Sequence, residues 1–567
     1  MNAPTPGLVA QPERLRLVGQ RRQILAVMHQ RLMFGMLVYV GVIGLIGLRI
    51  LYLAAFGDHA GRKLGVTTLI PERGDIVDRD GQALARTIDA WTIALHPKKI
   101  IGNKLELART LAKLMPERDE ASYYAMMRSD RPFFYLRRRA APGVVEAVNA
   151  LGEPGLAIDR EPDRLYPQTT LAAHVLGYTD VDGRGTAGIE RAFEDRLSDP
   201  VTRTEPLTLS ISSRVQQALE HELLDAMKRF SAIGAAGVIM DIHTGEVIAM
   251  TSLPQLNPNA AGAGSMEARF NRATLGVYEL GSTFKAFTVA MGLDSGVVKS
   301  VGQMYPCPGQ LHVSGRVITD THPFSRACSV AEIMQESSNV GTAQIADQIG
   351  AERQKAFLKN LGFFDPLVIE LKERGNTLSP RDWSRTDVMT VGYGYSIAIT
   401  PVHLASGYAA LMNGGIWRPA TLLKVDRNHP VGKGRRVFSE DTSYKMRSLL
   451  RLVVSKGTGS KADAPGYRVG GKTGTADKIA GRGYSATRVV TNFAGVFPIE
   501  EPRYVIVVML DEPQATADSM GFRYAGWNVA PVVSKTISRI APMLGVRPDK
   551  KRDANMAEVL PYIHEKK

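Results

Sequence analysis

Gly466-Tyr-Arg-Val-Gly-Gly-Lys-Thr473 fits G-x-x-x-x-G-K-[ST], the spacing of a loop that cradles phosphate. Further on, Val505-Ile-Val-Val-Met-Leu-Asp-Glu-Pro513 supplies an apolar strand ending in two acids, so the pair looks like the two halves of an ATPase site. A phosphate loop needs a buried strand before it and a helix opening at its Lys-Thr end, whose N-terminus helps to hold the anion. Here Gly459-Ser-Lys-Ala-Asp-Ala-Pro465 precedes it, too polar and broken for a buried strand. Gly474, Gly481 and Gly483 come after it, and no helix of useful length tolerates them. Lys472 is therefore expected on a strand or turn followed by a loop. Val505–Leu510 is expected as an interior strand of an antiparallel sheet.

The flanking texture supports that choice. Ser213–Phe230 has the spacing of an amphipathic helix. Ala236–Ile242 and Glu246–Thr251 read as strands joined by a turn at His243-Thr-Gly245. A largely helical block fills roughly 266–420, and Val489–Phe497 and Arg503–Leu510 return to strand around Glu500-Glu501-Pro502. Strand pair, helices, strand pair implies an α+β fold, an antiparallel sheet packed by helices. Upstream, helical patterns at 103–127 and 142–151 alternate with short strands to about 205, and Asp80-Gly81 marks a hairpin. Arg137-Arg138-Arg139 is expected on a solvated or salt-bridged face.

With 567 residues, two or three domains are expected. Leu32–Leu48 is an uncharged run of 17 residues, and apolar character resumes after Arg49. That is enough to span a bilayer core, which takes at least roughly 17 to 20 residues. Arg14, Arg16, Arg21, Arg22 and Arg31 precede it against Glu13 alone. By the positive-inside rule this keeps the N-terminus cytoplasmic and exports the chain beyond Phe56. A cleaved signal peptide is the rival reading, disfavoured by the long apolar run and extended basic leader. The expected plan is a flexible cytoplasmic tail (1–31), a transmembrane anchor (32–56), a membrane-proximal α+β domain (57–205), a main domain (206–545) and a loose polar tail (546–567). The net charge of +14 suits an anionic neighbour such as lipid, and no nucleic-acid-binding motif accompanies it. Cys307 and Cys328 either pair or are two small buried thiols. Neither has neighbours at metal-ligand spacing, so no metal is expected.

A nucleophile without a histidine is written in Tyr278-Glu-Leu-Gly-Ser-Thr-Phe-Lys285, where Ser282 and Lys285 lie one turn apart at the start of an apolar helix. Burial disfavours an ammonium, so Lys285 can act as the base that Ser282 requires. Ser337-Ser338-Asn339 comes next, between two helices, and Lys472-Thr473-Gly474-Thr475 after it on a strand. Each triplet alone is weak, and Ser282 as a simple N-cap is its bland reading. The ordered trio S-x-x-K, S-x-N, K-T-G is strong.

With that trio the sequence resembles the class B penicillin-binding proteins, monofunctional peptidoglycan D,D-transpeptidases. The likeness extends to Arg73-Gly-Asp-Ile-Val-Asp-Arg-Asp-Gly81, Gly185-Thr-Ala-Gly-Ile-Glu190, Asn271–Lys285 and Gly392-Tyr-Gly-Tyr-Ser-Ile-Ala-Ile-Thr-Pro401. The last stretch, with Leu510-Asp-Glu-Pro513, is similar to the septal (FtsI-like) branch; an elongation-type role is the alternative within the family. The resemblance implies a β-lactamase-like transpeptidase domain on an elongated, dimerisation-type pedestal, held by one transmembrane helix in the inner membrane. It implies Ser282 as nucleophile and Lys285 as base, with Ser337 and Asn339 relaying protons and positioning the substrate amide. Backbone N–H groups of Ser282 and Thr475 would hold the oxyanion, and Lys472, Thr473 and Thr475 of the K-T-G strand, with Gly474, would bind the terminal carboxylate. It further implies stem peptides ending in D-Ala-D-Ala as substrate, β-lactams as covalent inhibitors, a membrane glycosyltransferase (FtsW-type) and other division proteins as partners, and no cofactor. Leu280 stands where the family commonly has proline, and Tyr395 where it often has histidine. A membrane-anchored serine β-lactamase and a non-catalytic division scaffold are the rival functions; a penicillin-sensing receptor would need a signalling domain that 1–31 has no room for.

Overall fold

The structure is a computed structural model that describes residues 14–56, 73–481 and 483–564. A continuous helix runs from Arg14 to Phe56, and its segment Val27–Arg49 is long and apolar enough to cross a membrane. The expected flexible tail is thus helical from Arg14. Arg14–Gln30 holds no proline and only one glycine among good helix formers, so nothing stops the helix propagating into it.

In the body, the Asp80-Gly81 hairpin forms as the sequence indicates. Ile76–Val77 pairs antiparallel with Ala83–Leu95, and Gly81 takes a positive φ of 84°. Ala83–Leu95 also pairs with Phe134–Ala140 and Leu156–Leu165, and helices Lys104–Leu114, Glu120–Met127 and Pro142–Asn149 cover this small sheet. Two motifs far apart in sequence meet here: Arg73 Nε donates to Glu190 Oε2 at 2.7 Å, and Arg164 Nε takes the other oxygen, also at 2.7 Å. All three side chains are buried, and Arg73 also donates to both oxygens of Glu194, so two guanidiniums meet two carboxylates where single charges would be untenable. Arg137, Arg138 and Arg139 pair with Glu117, Glu161 and Asp163, the salt-bridged face.

The main domain is built on a five-stranded antiparallel sheet of β1 (Gly234–Asp241), β2 (Val247–Leu253), β3 (Gly470–Ala480), β4 (Gly483–Phe497) and β5 (Tyr504–Asp511), in the order β3-β4-β5-β1-β2. β5 is the interior strand that its continuous apolar run calls for. Its alternate residues enter two cores: Val505, Val507 and Met509 pack on one side, Ile506, Val508 and Leu510 on the other. The second side is closed by helices Ser213–Arg229 and Ala530–Ile540. The first is closed by α1 (Lys285–Asp294), α2 (Val330–Glu336), α3 (Asn339–Ile349), α4 (Pro401–Met412) and α5 (Glu440–Lys456).

Three expectations are corrected. β3 continues as strand through Gly474 to Ala480 rather than giving way to a loop after Lys472. The block read as helical contains two short antiparallel strand pairs between α1 and α2, the hairpin Gln310–Val313 with Arg316–Thr319 and the pair Met304–Tyr305 with Cys328–Ser329. The stretch 546–564 is not loose. Asp553 pairs with Arg451, the Asn555 carbonyl accepts from Ser448, Val559 is fully buried and the Tyr562 carbonyl accepts from Ser329. Polar composition suggests a free tail, but here backbone carbonyls, one carboxylate and the buried Val559, with Met556 and Ile563 packed against the same core, do the docking. Cys307 and Cys328 are disulfide-bonded, with Cα atoms 5.9 Å apart.

Candidate active site

The first and third motifs meet through backbone contact that only glycine permits. Gly281 has a φ of +55°, and a Cβ there would lie 2.6 Å from the Thr475 carbonyl oxygen. A Cβ on Gly474 would lie 2.3 Å from the Leu280 carbonyl oxygen, which already accepts from Asn492 Nδ2 at 3.0 Å. β3 is an edge strand, so half of its polar groups face away from β4. In an antiparallel ladder a residue's N–H and C=O point to the same side. The Thr475 carbonyl is aimed at Gly281, so the Thr475 N–H also lies on the free edge, beside the turn that carries Ser282.

Gly281–Phe284 forms a tight turn leading into α1, and α1 is buried from Lys285 to Gly292. Lys285 therefore has no exposed surface. Its Nζ donates to the Ser337 carbonyl, and to the Ser337 hydroxyl at 3.1 Å. Burial is the main force holding its pKa well below that of ordinary lysine; the nearby Lys472 ammonium adds to the depression and the Asp320 carboxylate opposes it. The Ser282 hydroxyl makes no hydrogen bond among the described residues. The Lys285 amine thus rests on Ser337, whose hydroxyl shares the cleft with Ser282.

The second motif is set by a helix junction. Ser337 ends α2 in the left-handed region at φ 62°, and Ser338 caps α3 by accepting from Gly341 N at 2.9 Å. Asp320 fixes this junction: it accepts from Ser338 Oγ at 2.7 Å, from Val340 N at 3.1 Å and from Asn339 N. The Asn339 amide donates to the Thr319 carbonyl at 2.8 Å.

A cleft of about 520 Å³ gathers Ser282, Ser337 and Asn339 on one wall and Thr473, Thr475 and Asp477 of β3 on the other. Strand alternation explains the second wall, since every other residue shares a face. It also turns Lys472 and Gly474 away. Lys472 is fully buried behind the strand, its Nζ donating to the Thr473 carbonyl at 3.2 Å, and burial lowers its pKa to about 7. Among the expected binding residues, Thr473 and Thr475 line the cleft, whereas Lys472 and Gly474 do not. The sequence reading missed Asp320, Thr458 (Oγ1 2.9 Å from Thr473 Oγ1) and the cleft residues Asp477, Tyr524 and Trp527. None of these stands at a motif spacing. Of the two departures, Leu280 is buried and uses its carbonyl to tie the turn to β4, while Tyr395 lines the cleft and its hydroxyl accepts from Asp477 N at 3.3 Å.

Residues 235–537 match the penicillin binding protein transpeptidase domain, and residues 68–199 match the penicillin-binding protein dimerisation domain. The chain belongs to the class B penicillin-binding proteins. Within this family it is 39% identical over 492 residues to the probable peptidoglycan D,D-transpeptidase FtsI of Caulobacter vibrioides, covering 84% of this chain and 82% of that one. It is 29% identical over 520 residues to the peptidoglycan D,D-transpeptidase FtsI of Escherichia coli, covering 86% of each. Penicillin binding protein 3 of Mycobacterium tuberculosis, solved with ampicillin, shares the fold at a TM-score of 0.67 and 24% identity, over 86% of this penicillin-binding protein and 98% of that chain.

Proposed function

We propose that this chain is a septal peptidoglycan D,D-transpeptidase that cross-links stem peptides through an acyl-enzyme on Ser282. The observation that carries the reading is the burial of the Lys285 amine against Ser337 beneath a cleft that Ser282 shares with the free edge of β3. An amine of depressed pKa gives up its own proton more readily and so can stand neutral to accept one. Ser282 Oγ attacks the carbonyl carbon of the penultimate D-alanine, and its proton passes to Lys285, directly or through the Ser337 hydroxyl. The N–H groups of Ser282 and Thr475 hold the oxyanion, and Asn339 orients the substrate amide. Thr473, Thr475 and Thr458 bind the terminal carboxylate, with Lys472 contributing positive charge from behind. Collapse breaks the peptide C–N bond, the departing D-alanine nitrogen takes the proton, and an ester on Ser282 remains. An amine of a neighbouring stem then attacks the ester and passes its proton to Lys285; the C–O bond to Ser282 breaks, the proton returns to Ser282 Oγ, and a cross-link remains. A β-lactam enters the same sequence, but its leaving nitrogen stays tethered.

The arginines before the apolar run support a cytoplasmic N-terminus with the body on the other side of the membrane. A single-pass anchor suits work beside a membrane glycosyltransferase of the FtsW type and other division proteins. The FtsI relatives favour division over elongation. Purified protein given a synthetic D-Ala-D-Ala stem and an amine acceptor is expected to release D-alanine and form the cross-linked product, both lost in Ser282→Ala. Rapid multiple-turnover hydrolysis of penicillin would contradict the reading in favour of a β-lactamase. Cells depleted of the protein are expected to grow as filaments; rounded cells would contradict the septal assignment.

A further inference from the structure

We propose that Asp477 is a specificity-determining residue that seats the free primary amine of the donor stem peptide. The inference rests on the transpeptidase reading of the cleft and names a feature of its substrate. Asp477 lies two residues beyond Thr475 on β3 and so shares its face, lining the same cleft. Its backbone N–H is held by the Tyr395 hydroxyl, which fixes the strand at this point. Its carboxylate is half-buried, yet no ion pair or hydrogen bond to it is made among the described residues. The next residue, Lys478, faces the opposite side and is engaged by Asp511 and Glu512, both within 2.8 Å. Lys285 and Lys472 lie behind the walls. The charged or titratable side chains lining the cleft are Asp477, Glu336 and His322 with the tyrosines Tyr395 and Tyr524, so the cleft presents acids and no fixed cation. A carboxylate drawn from water without a partner is costly, and a ligand ammonium would relieve it.

The chemistry of cross-linking supplies that ammonium. Donor and acceptor are copies of one stem, so a donor carries the same amine that an acceptor uses. An extended donor with its carboxylate at Thr473 and Thr458 and its scissile carbonyl at Thr475 continues along β3. Two strand residues span about 7 Å. This places the residue preceding the penultimate D-alanine at Asp477. Bound there, the donor's amine is kept protonated and away from the ester, and stems whose amine is already acylated make poorer donors.

The test compares D-alanine release from two synthetic donors that differ only in a free or an N-acetylated side-chain amine. The wild-type protein is expected to favour the free amine roughly tenfold in kcat/KM, the scale of a half-buried charge pair. Asp477→Asn is expected to bring that ratio close to one, and Asp477→Glu to retain most of it. Fluorescent penicillin labelling reports whether each variant assembles its site. A wild-type ratio of one, or a ratio that Asp477→Asn leaves unchanged, would overturn the inference while the transpeptidase reading stands. Absence of any acyl-enzyme on the wild-type chain would overturn both.

Discussion

Asp320 is where one substitution should separate positioning from charge. Its carboxylate receives the Ser338 hydroxyl and the N–H groups of Asn339 and Val340, and it is the one carboxylate that raises the Lys285 pKa. Hydrogen bonds to a charged acceptor contribute about 1.5–3 kcal/mol each, and a lost helix cap costs about 1 kcal/mol. The three bonds share one acceptor, and Asp320 is only half-buried, so they do not add in full. A loss of about 3 kcal/mol in the order of the Ser337–Asn339 junction is the working figure. At about 1.4 kcal/mol per decade, Asp320→Ala should slow acylation by roughly a hundredfold if all of that loss is felt in the transition state, and by about tenfold if half of it is. Removing the negative charge also lets the Lys285 pKa fall further. Lys285 must be neutral to act as base, so the acidic limb of the pH–rate profile should move to lower pH even as the plateau drops. Asp320→Asn keeps an acceptor and loses the charge, and should show the limb shift with a smaller drop. The assay is the second-order rate of fluorescent penicillin acylation between pH 5 and 9, beside thermal unfolding. A plateau and limb both unchanged in Asp320→Ala would refute this reasoning.

Lys472 is expected to trade stability for activity. Lysine titrates near 10.5 when exposed and at about 7 here, so the unfolded chain binds the extra proton between those values. The folded state accordingly loses stability as pH falls from about 10.5 toward 7. Lys472→Met should raise the melting temperature at pH 7 while slowing penicillin acylation at least tenfold; a lowered melting temperature would count against the sign. The Cys307–Cys328 disulfide closes the loop that carries Asp320, with a sequence separation of 21 residues. A loop of that size is constrained by about 3 kcal/mol. Mild reduction should slow acylation severalfold before the global melting transition collapses, and equal rates with and without reductant would show that the loop holds itself.

The central sheet is legible because β5 and β1 are continuous apolar runs and the turns between strands carry glycine or proline. Ser282 and Lys285 are legible because helical spacing places them a turn apart in an apolar segment, whatever the rest of the chain does. What the sequence does not display is the other side of each contact. Asp320 sits 17 residues before Ser337 among short hairpins, and no period or spacing marks a carboxylate that will meet three donors across the cleft wall. Glycines after Lys472 suggest a loop. In the fold Gly474 is part of a strand pressed on the Leu280 carbonyl, where a side chain would not fit. The face of Lys472 likewise depends on register: alternation from Thr473 and Thr475 turns it inward only once the strand is known to continue. The docked stretch 546–564 is hidden for a third reason, since backbone carbonyls accepting from Ser448 and Ser329 leave no mark in side-chain pattern.

The most direct test of the central claim is the site and base dependence of the covalent adduct. Protein treated with a penicillin, digested and mapped by mass spectrometry should carry one acyl group per chain on Ser282. The adduct should be absent in Ser282→Ala and formed many orders of magnitude more slowly in Lys285→Ala. An adduct on another residue, or one that forms at the wild-type rate without the Lys285 amine, would contradict the account.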